Sequence, residues 1–427
     1  MATLDHAIAL PQTARATATQ ARRFVLLFPA LAISWFLGVS AFFWLAVAFA
    51  MVLGFTLRRD VVFPPRFGIW LLFLAWVPLS ALQLQEGGDA LVFLQRYFGV
   101  IAATIVFLYV FNSSRARLPD STVVNALAVY WAILVVGGFV AMVFATVSYH
   151  SPAEQVLPGS LLANPYVHGT VHVRFADVQA FLGFPVGRPQ MFFGATNAWG
   201  AMVALLTPFA LAAVRQARTV ARRRVLQALL VLSIVPIVVS LNRGMWLALG
   251  ISFAYVAVRF ALQLNMRALA GFVGVVAASG ALLVTTPLGG LISERLEHGH
   301  SNESREALYR EALAGTKESP LIGYGGPRPS VESPKGPPVG THSHVFFLLF
   351  SHGIPAFVLF MGWLALTLLR SLRETSGPAF WAHVSVLVFL IESPYYLLEA
   401  HLLVVMIAAA LVWRTVASPS GHARVAT

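Results

Sequence analysis

Long apolar runs alternate with short polar ones along this chain. The runs lie at about 24–38, 40–57, 67–84, 97–112, 123–146, 190–214 and 225–241, then from Arg243 to Arg259, and at about 268–288, 343–369, 380–396 and 399–413. A helix rises ~1.5 Å per residue, so ~20 apolar residues cross a hydrocarbon core of ~30 Å. The pattern predicts an all-α polytopic membrane protein of about twelve transmembrane helices, with Gly38 and Ser40 marking a tight turn between the first two. Two polar stretches are much longer than the rest, 148–189 and 289–342. Within the second, SNESREALYREALAG has helical spacing, with Glu303 and Glu306 toward its start and Gly315 at its expected end.

Charge gives the runs a direction. Arginines cluster in alternate connections: 58–66, 115–117, 215–224, 259–267, 370–373 and the C-terminal tail. The positive-inside rule places these connections and both termini in the cytoplasm. The first 22 or so residues then form a cytoplasmic tail and not a cleaved signal peptide. The whole chain, 1–427, is expected to be one integral membrane domain, with 148–189 and 289–342 as outer loops.

Composition agrees. The chain is 58% hydrophobic and 11% charged, with a mean hydropathy of +0.76; a soluble domain carries roughly 25% charged residues. The net charge of +12 is nearly all arginine, the only lysines being Lys317 and Lys335. Because these arginines sit at span ends, the charge speaks for topology and not for nucleic acid. There is no cysteine, hence no disulfide or thiol chemistry.

Arginines that break the alternation carry information. Arg96, Arg174, Arg188, Arg243, Arg295, Arg305, Arg310 and Arg328 fall outside, where orientation does not require them. Such a residue either snorkels to lipid phosphates or grips an anion with its planar fork. Arg243 sits in SLNRGMWLALG with almost no polar loop around it, and Gly244 permits a close approach. Arg305 shares a helical face with Leu308, Tyr309, Ala312 and Leu313, which turns it inward, toward either an anion or an ion pair with Glu294 or Glu297. Arg310 points away and is expected to pair with Glu306. His342 closes the long loop at the boundary of the next span, where an imidazole with an ordinary pKa near 6.5 can accept a proton and nearby arginines would keep it a free base. The outer loops contain no D-x-D or E-x-D. His298 and His300, or His342 and His344, would be half of a zinc set with nothing to complete it, so no metal and no cofactor is expected.

Four segments together resemble the O-antigen ligase/O-antigen polymerase superfamily. HSHVFFLLFSHG from His342 to Gly353 is similar to its H-[N/S]-x-x-L-(x6)-G segment, with Ser343 for the usual Asn and Phe346 for the usual Leu. SLNRGMWLA is similar to S-x-S-R-G-x-W. SREALYREAL with SPLIGYG is similar to S-R-x-x-x-W-x-x-A-(x)n-P-L-x-G-x-G, Tyr309 standing in the aromatic place. FFGATNAWGA resembles the P-N segment at Thr196–Asn197. The resemblance covers about residues 188–355. It implies a GT-C-like membrane glycosyltransferase whose outer loops face the periplasm, acting at the outer face of the bacterial inner membrane. Its donor would be O-antigen on undecaprenyl pyrophosphate and its acceptor, for a ligase, the lipid A-core oligosaccharide. By this resemblance His342 activates the acceptor hydroxyl, Arg243, Arg305 and Arg188 hold the pyrophosphate, and Tyr309, Asn197, Ser343 and His344 support them. A polymerase and a protein O-oligosaccharyltransferase are the alternatives within the superfamily. A lipid-linked sugar transporter or flippase is the alternative from another class, although the span interiors are nearly free of acids, Glu392 and Glu399 lying at a turn. A purely structural scaffold would leave the outer arginines unexplained.

Overall fold

The computed structural model describes residues 12–56, 61–85, 87–181, 184–286, 288–297, 301–334 and 336–417. Helices occupy all twelve apolar runs. Helix α1 (Gln12–Phe36) turns at Gly38, whose φ of +76° suits glycine, into α2 (Ser40–Thr56). Helix α3 (Gly68–Trp76) continues as a tighter turn over Val77–Gln83 and is followed by α4 (Gly87–Asn112) and α5 (Asp120–Val143).

The first long polar segment amends the all-α expectation, because it holds two small sheets. Strand β1 (Ser148–His150) leads through the short helices α6 (Pro152–Val156), α7 (Gly159–Leu162) and α8 (Pro165–Val171) to β2 (His172–Arg174), which pairs antiparallel with β1. A hairpin follows, β3 (Ala176–Phe181) with β4 (Phe184–Pro189). The apolar pattern resumes in α9 (Thr196–Gln216), α10 (Val220–Leu232), α11 (Ile234–Val239), α12 (Arg243–Leu262) and α13 (Met266–Thr285). The second polar segment carries α14 (Leu288–Glu297) and α15 (Ser301–Glu318); α16 (His344–Arg370), α17 (Gly377–Glu392) and α18 (Leu402–Val416) complete the chain. Helix α15 runs past Gly315. That glycine is a packing position and not a terminator, since a Cβ there would lie 2.5 Å from the Phe350 ring.

Among the described residues six helices are long and apolar enough to cross a membrane: Asp89–Asn112, Asp120–Val143, Thr196–Gln216, Arg243–Leu262, His344–Arg370 and Glu399–Val416. Shorter apolar helices fill Ser40–Gly54, Gly68–Gln83, Leu269–Ala278 and Gly377–Glu392. Thr196–Gln216 and Glu399–Val416 are each 78% buried and form the centre, whereas Asp89–Asn112 and Arg243–Leu262, at 33%, lie at its edge.

The connections sort into two groups by contact. Those rich in arginine meet one another. Val62 exchanges hydrogen bonds with Asn112, Arg115 and Arg414 both pair with Asp120, at 2.9 and 3.1 Å, and Arg259 donates to the Glu374 carbonyl. The alternate connections also meet. Tyr149 donates to the Phe36 carbonyl, the Trp76 indole to that of Leu321, Arg328 to that of Gln83 and Tyr309 to that of Pro394.

Helix α16 is broken at Gly353, where φ is +79° and ψ 175°. The break frees backbone groups inside an apolar bundle, where each needs a partner. The turn 319–325 supplies them: Tyr324 N–H bonds to the Phe350 carbonyl at 3.0 Å, Gly325 N–H to that of Ser351 at 2.8 Å, and Ile354 N–H to that of Pro320 at 2.8 Å. A Cβ on residue 353 would fall 2.2 Å from the Leu321 carbonyl oxygen. SPLIGYG and the distant glycine are therefore two halves of one junction. Gly353→Ala must accept both an unfavourable φ and a backbone collision, and it is expected to destabilise by on the order of 2 kcal/mol or more. Thermal unfolding of the purified variant in detergent checks this, and a melting temperature equal to that of the parent would refute the junction.

Candidate functional site

The alternate connections enclose a cavity of about 680 Å³. Its lining mixes polar side chains, among them Arg96, Arg305, His342, His344, His401 and Glu399, with apolar ones, among them Leu31, Trp44, Phe73, Val100 and Tyr130 from the first five helices. Asn197, Tyr166 and Tyr396 also line it.

The backbone before α16 is fixed by its cap. Ser343 Oγ accepts from Phe346 N–H at 3.2 Å and donates to the Ser393 carbonyl at 3.1 Å. His344 N–H reaches the carbonyls of Ser393 and Tyr396, both at 2.8 Å, and Val345 N–H that of Ser393 at 3.2 Å. The helix start, with its orphan N–H groups, is thus satisfied by the turn after α17. Ser343 itself is buried and is structural.

His342 stands just before this cap. Its Nδ1 lies 3.1 Å from Thr341 Oγ1, and Thr341 Oγ1 donates its only proton to the Pro338 carbonyl at 2.7 Å. The hydroxyl must then accept from the ring, so Nδ1 carries the hydrogen and Nε2 keeps the lone pair. Burial, and then the positive charge of Arg305, hold the imidazole below its usual pKa. At neutral pH it is an unprotonated base.

Arg305 is half-buried on the face of α15 that also buries Leu308 and Ala312. Leu313, expected on that face, is 46% exposed. The side chains of Glu294 and Glu297 lie outside the described residues, and among those described no carboxylate pairs with Arg305. Arg310 is exposed as expected, but its partner is Glu332, at 3.5 Å, and not Glu306. Tyr309 stacks on Phe346 with ring centroids 4.4 Å apart and does not line the cavity.

The SLNRG turn works mainly through Asn242. Its Oδ1 accepts from Met245 N–H, capping α12, and from the Tyr396 hydroxyl, while its Nδ2 donates to the Asn197 carbonyl at 3.2 Å. A Cβ on Gly244 would fall 2.3 Å from the Tyr396 oxygen, so the close approach this glycine permits is made by a tyrosine. Arg243 is the first residue of α12, between these two anchors, and is not among the residues that line the cavity. Arg188 does not reach the cavity. Its guanidinium pairs with Asp177 at 3.2 Å and bonds to the Ser240 carbonyl at 2.8 Å, steadying the approach to Asn242.

Of the other lining residues, the sequence singled out Arg96 and His344 but not His352 or His401, and it did not pair Arg96 with Glu399. Arg96 pairs with Glu399 at 3.1 Å and lies over the rings of Tyr166 and Phe347. His352 Nδ1 is 2.8 Å from Ser80 Oγ, and His401 Nε2 donates to the Ala198 carbonyl at 2.8 Å. His344 is buried among aromatic rings with neither ring nitrogen hydrogen-bonded. His352 lies within the quoted HSHVFFLLFSHG and Glu399 within ESPYYLLE, but no spacing rule joins either to Arg96 or Ser80. His298 and His300 lie outside the described residues.

Comparison with known families finds a match to a family model described as O-antigen ligase, over residues 228–361. This interval contains the Asn242 cap, α15, the 319–325 turn, His342 and the Gly353 break. The match is to that part of the chain alone. No curated protein matches the chain. The matched interval supplies Arg305, His342 and His344 to the cavity. Asn197, Arg96, Glu399 and His401 come from flanking helices outside it. Much of the apolar lining comes from helices that precede the matched interval.

The base assignment is open to spectroscopy. In ¹⁵N-histidine spectra, with His342→Gln giving the assignment, His342 should be the Nδ1–H tautomer at neutral pH and titrate below ~6.5. Arg305→Gln should move that midpoint upward, because a repelling charge is removed, and Thr341→Val should release the tautomer. A midpoint above ~6.5 in the parent protein would refute the reading.

Proposed function

We propose that this protein is a membrane glycosyltransferase that transfers O-antigen from undecaprenyl pyrophosphate to the lipid A-core oligosaccharide, at the periplasmic face of the inner membrane. The observation that carries the reading is the convergence, in one cavity, of an unprotonated His342, an Arg305 with no carboxylate partner among the described residues, and an apolar flank suited to a polyprenyl chain. The sorting of connections into two groups supports twelve crossings with both termini in the cytoplasm.

In this reading the acceptor hydroxyl oxygen attacks the anomeric carbon of the donor sugar. Its proton passes to His342 Nε2, and the bond from that carbon to the pyrophosphate oxygen breaks with its electron pair on the leaving group. Arg305 stabilises the developing negative charge, and Arg243, at the positive end of α12, reinforces it from behind. A single displacement of this kind inverts the anomeric centre. The leaving group is already activated, so the step proceeds on His342 and the arginines without a metal. The Arg96–Glu399 pair walls the site, and Arg188 holds the loop before Asn242.

His342→Ala should lower transfer by about 10²–10⁴-fold while the protein still inserts and accumulates. Arg305→Ala should cost about 10²–10³-fold. Arg310→Ala, whose exposed ion pair is worth about 1 kcal/mol or less, should stay near parental activity. Transfer from purified lipid-linked donor to lipid A-core is the measurement. Normal transfer by His342→Ala removes the base, and equal losses from Arg305 and Arg310 remove the helical-face argument. In a deletion strain, unligated long chains on the carrier identify a ligase, whereas a core bearing a single repeat identifies a polymerase.

A further inference from the structure

A second cluster of polar side chains lies outside the cavity, in the 148–174 unit. Strands β1 and β2 pair in a register that sets His150 directly opposite His172. Helix α6, one turn after β1, brings Glu154 back beneath them. Glu154 is buried, with its side chain only 4% exposed, and three imidazoles converge on its carboxylate. His150 Nδ1 is 2.8 Å from Oε1, His172 Nδ1 3.0 Å from Oε2, and His168 Nε2 3.4 Å from Oε1. One ligand atom from each of His150, Glu154 and His172 lies within 4.8 Å of the others. His168 and His172 sit four residues apart on the α8–β2 corner, their rings 5.1 Å apart and 11° from parallel.

We propose that this cluster is a binding site for a divalent late-transition ion of the zinc class, with His150, Glu154 and His172 as ligands and His168 or water in the fourth position. A tetrahedral site with bonds of ~2.0–2.1 Å has ligand atoms ~3.3 Å apart. The separations from the carboxylate oxygens to the three ring nitrogens already span that value. Two or three imidazoles with one carboxylate form the donor set that zinc prefers over magnesium or calcium. A buried carboxylate needs compensating charge, and an ion at the centre supplies it. The site joins β1, α6 and β2 through side chains, so its role is to lock the 148–174 unit.

The lock bears on the cavity through α8. That helix carries both His168 and Tyr166. The Tyr166 hydroxyl donates to Gln95 at 2.7 Å, and its ring lies beneath Arg96, 5.1 Å from the guanidinium. In the sequence His150 and Glu154, and again His168 and His172, stand four residues apart, each pair straddling a junction of strand and helix. The strand register that joins the two pairs is not visible from spacing.

The test uses the full-length protein in detergent, purified with a tag free of histidine and stripped of metal, titrated with zinc chloride by calorimetry and with cobalt(II) by visible absorption. One equivalent should bind with micromolar or tighter affinity, and cobalt should show the intense d–d bands of a four-coordinate site. His150→Ala/His172→Ala should weaken binding by at least about tenfold while the variant still inserts and elutes as the parent does in detergent. Glu154→Gln should lose the site as well. No saturable binding by the parent, or equal affinity in the double variant, overturns the proposal and leaves a carboxylate held by imidazoles alone. These readouts do not involve glycan transfer, so they stand apart from the proposed reaction.

Discussion

The start of α16 is the constraint on which the site depends. A helix beginning inside a membrane protein presents N–H groups that water does not reach, and each left unpaired costs several kcal/mol. Here the carbonyls of Ser393 and Tyr396 and the Ser343 hydroxyl meet them. That solution welds the 393–396 turn to α16 and fixes the residue before the cap, His342. Tyr396 then carries the restraint onward, its hydroxyl reaching Asn242, which caps α12 and holds the Asn197 carbonyl at the start of α9. Three helix starts are thereby tied together beside one cavity.

The break at Gly353 applies the same rule ten residues further along. Helix α16 gives up its own hydrogen bonds there, and the 319–325 turn replaces them. The replacement anchors the C-terminal end of α15, and α15 carries Arg305. A base and a cation that share no element are therefore positioned by two junctions on the same helix, one at its first turn and one at its break. The separation of His342 from Gly353 in the sequence is the length of helix between those junctions.

This also explains what the sequence could show. The apolar runs, the turn at Gly38 and the burial of Leu308 and Ala312 on one face of α15 were legible, because each follows from local periodicity or from one residue type at one place; the His342–Gly353 interval stood out only through a family resemblance. The sheets of the 148–189 segment were not, since strands of three to six residues carry too little alternation to be distinguished from loop. Nor were the partners. Glu399 belongs to Arg96, Asp177 to Arg188 and Glu332 to Arg310 through tertiary contacts that no helical spacing encodes. Thr341 was overlooked for a different reason: its effect on the neighbouring His342 depends on where its single proton goes, and Pro338 decides that.

The outer arginines are accordingly not equivalent. Arg96 and Arg188 are neutralised by carboxylates, Arg328 is occupied by the Gln83 carbonyl and the Tyr324 ring, and Arg310 shares its charge with Glu332 in open solvent. Arg305 faces the cavity with no such partner among the described residues. A half-buried guanidinium loses hydration without regaining it from a counter-charge, so the empty protein carries a cost that a bound anion removes. In the proposed reading a pyrophosphate would be that anion, with its polyprenyl chain against the apolar lining. The positive charge of Arg305 also helps burial hold the imidazole of His342 below its usual pKa. An anion bound to Arg305 would weaken that repulsion, so His342 would become a stronger base when the site is filled.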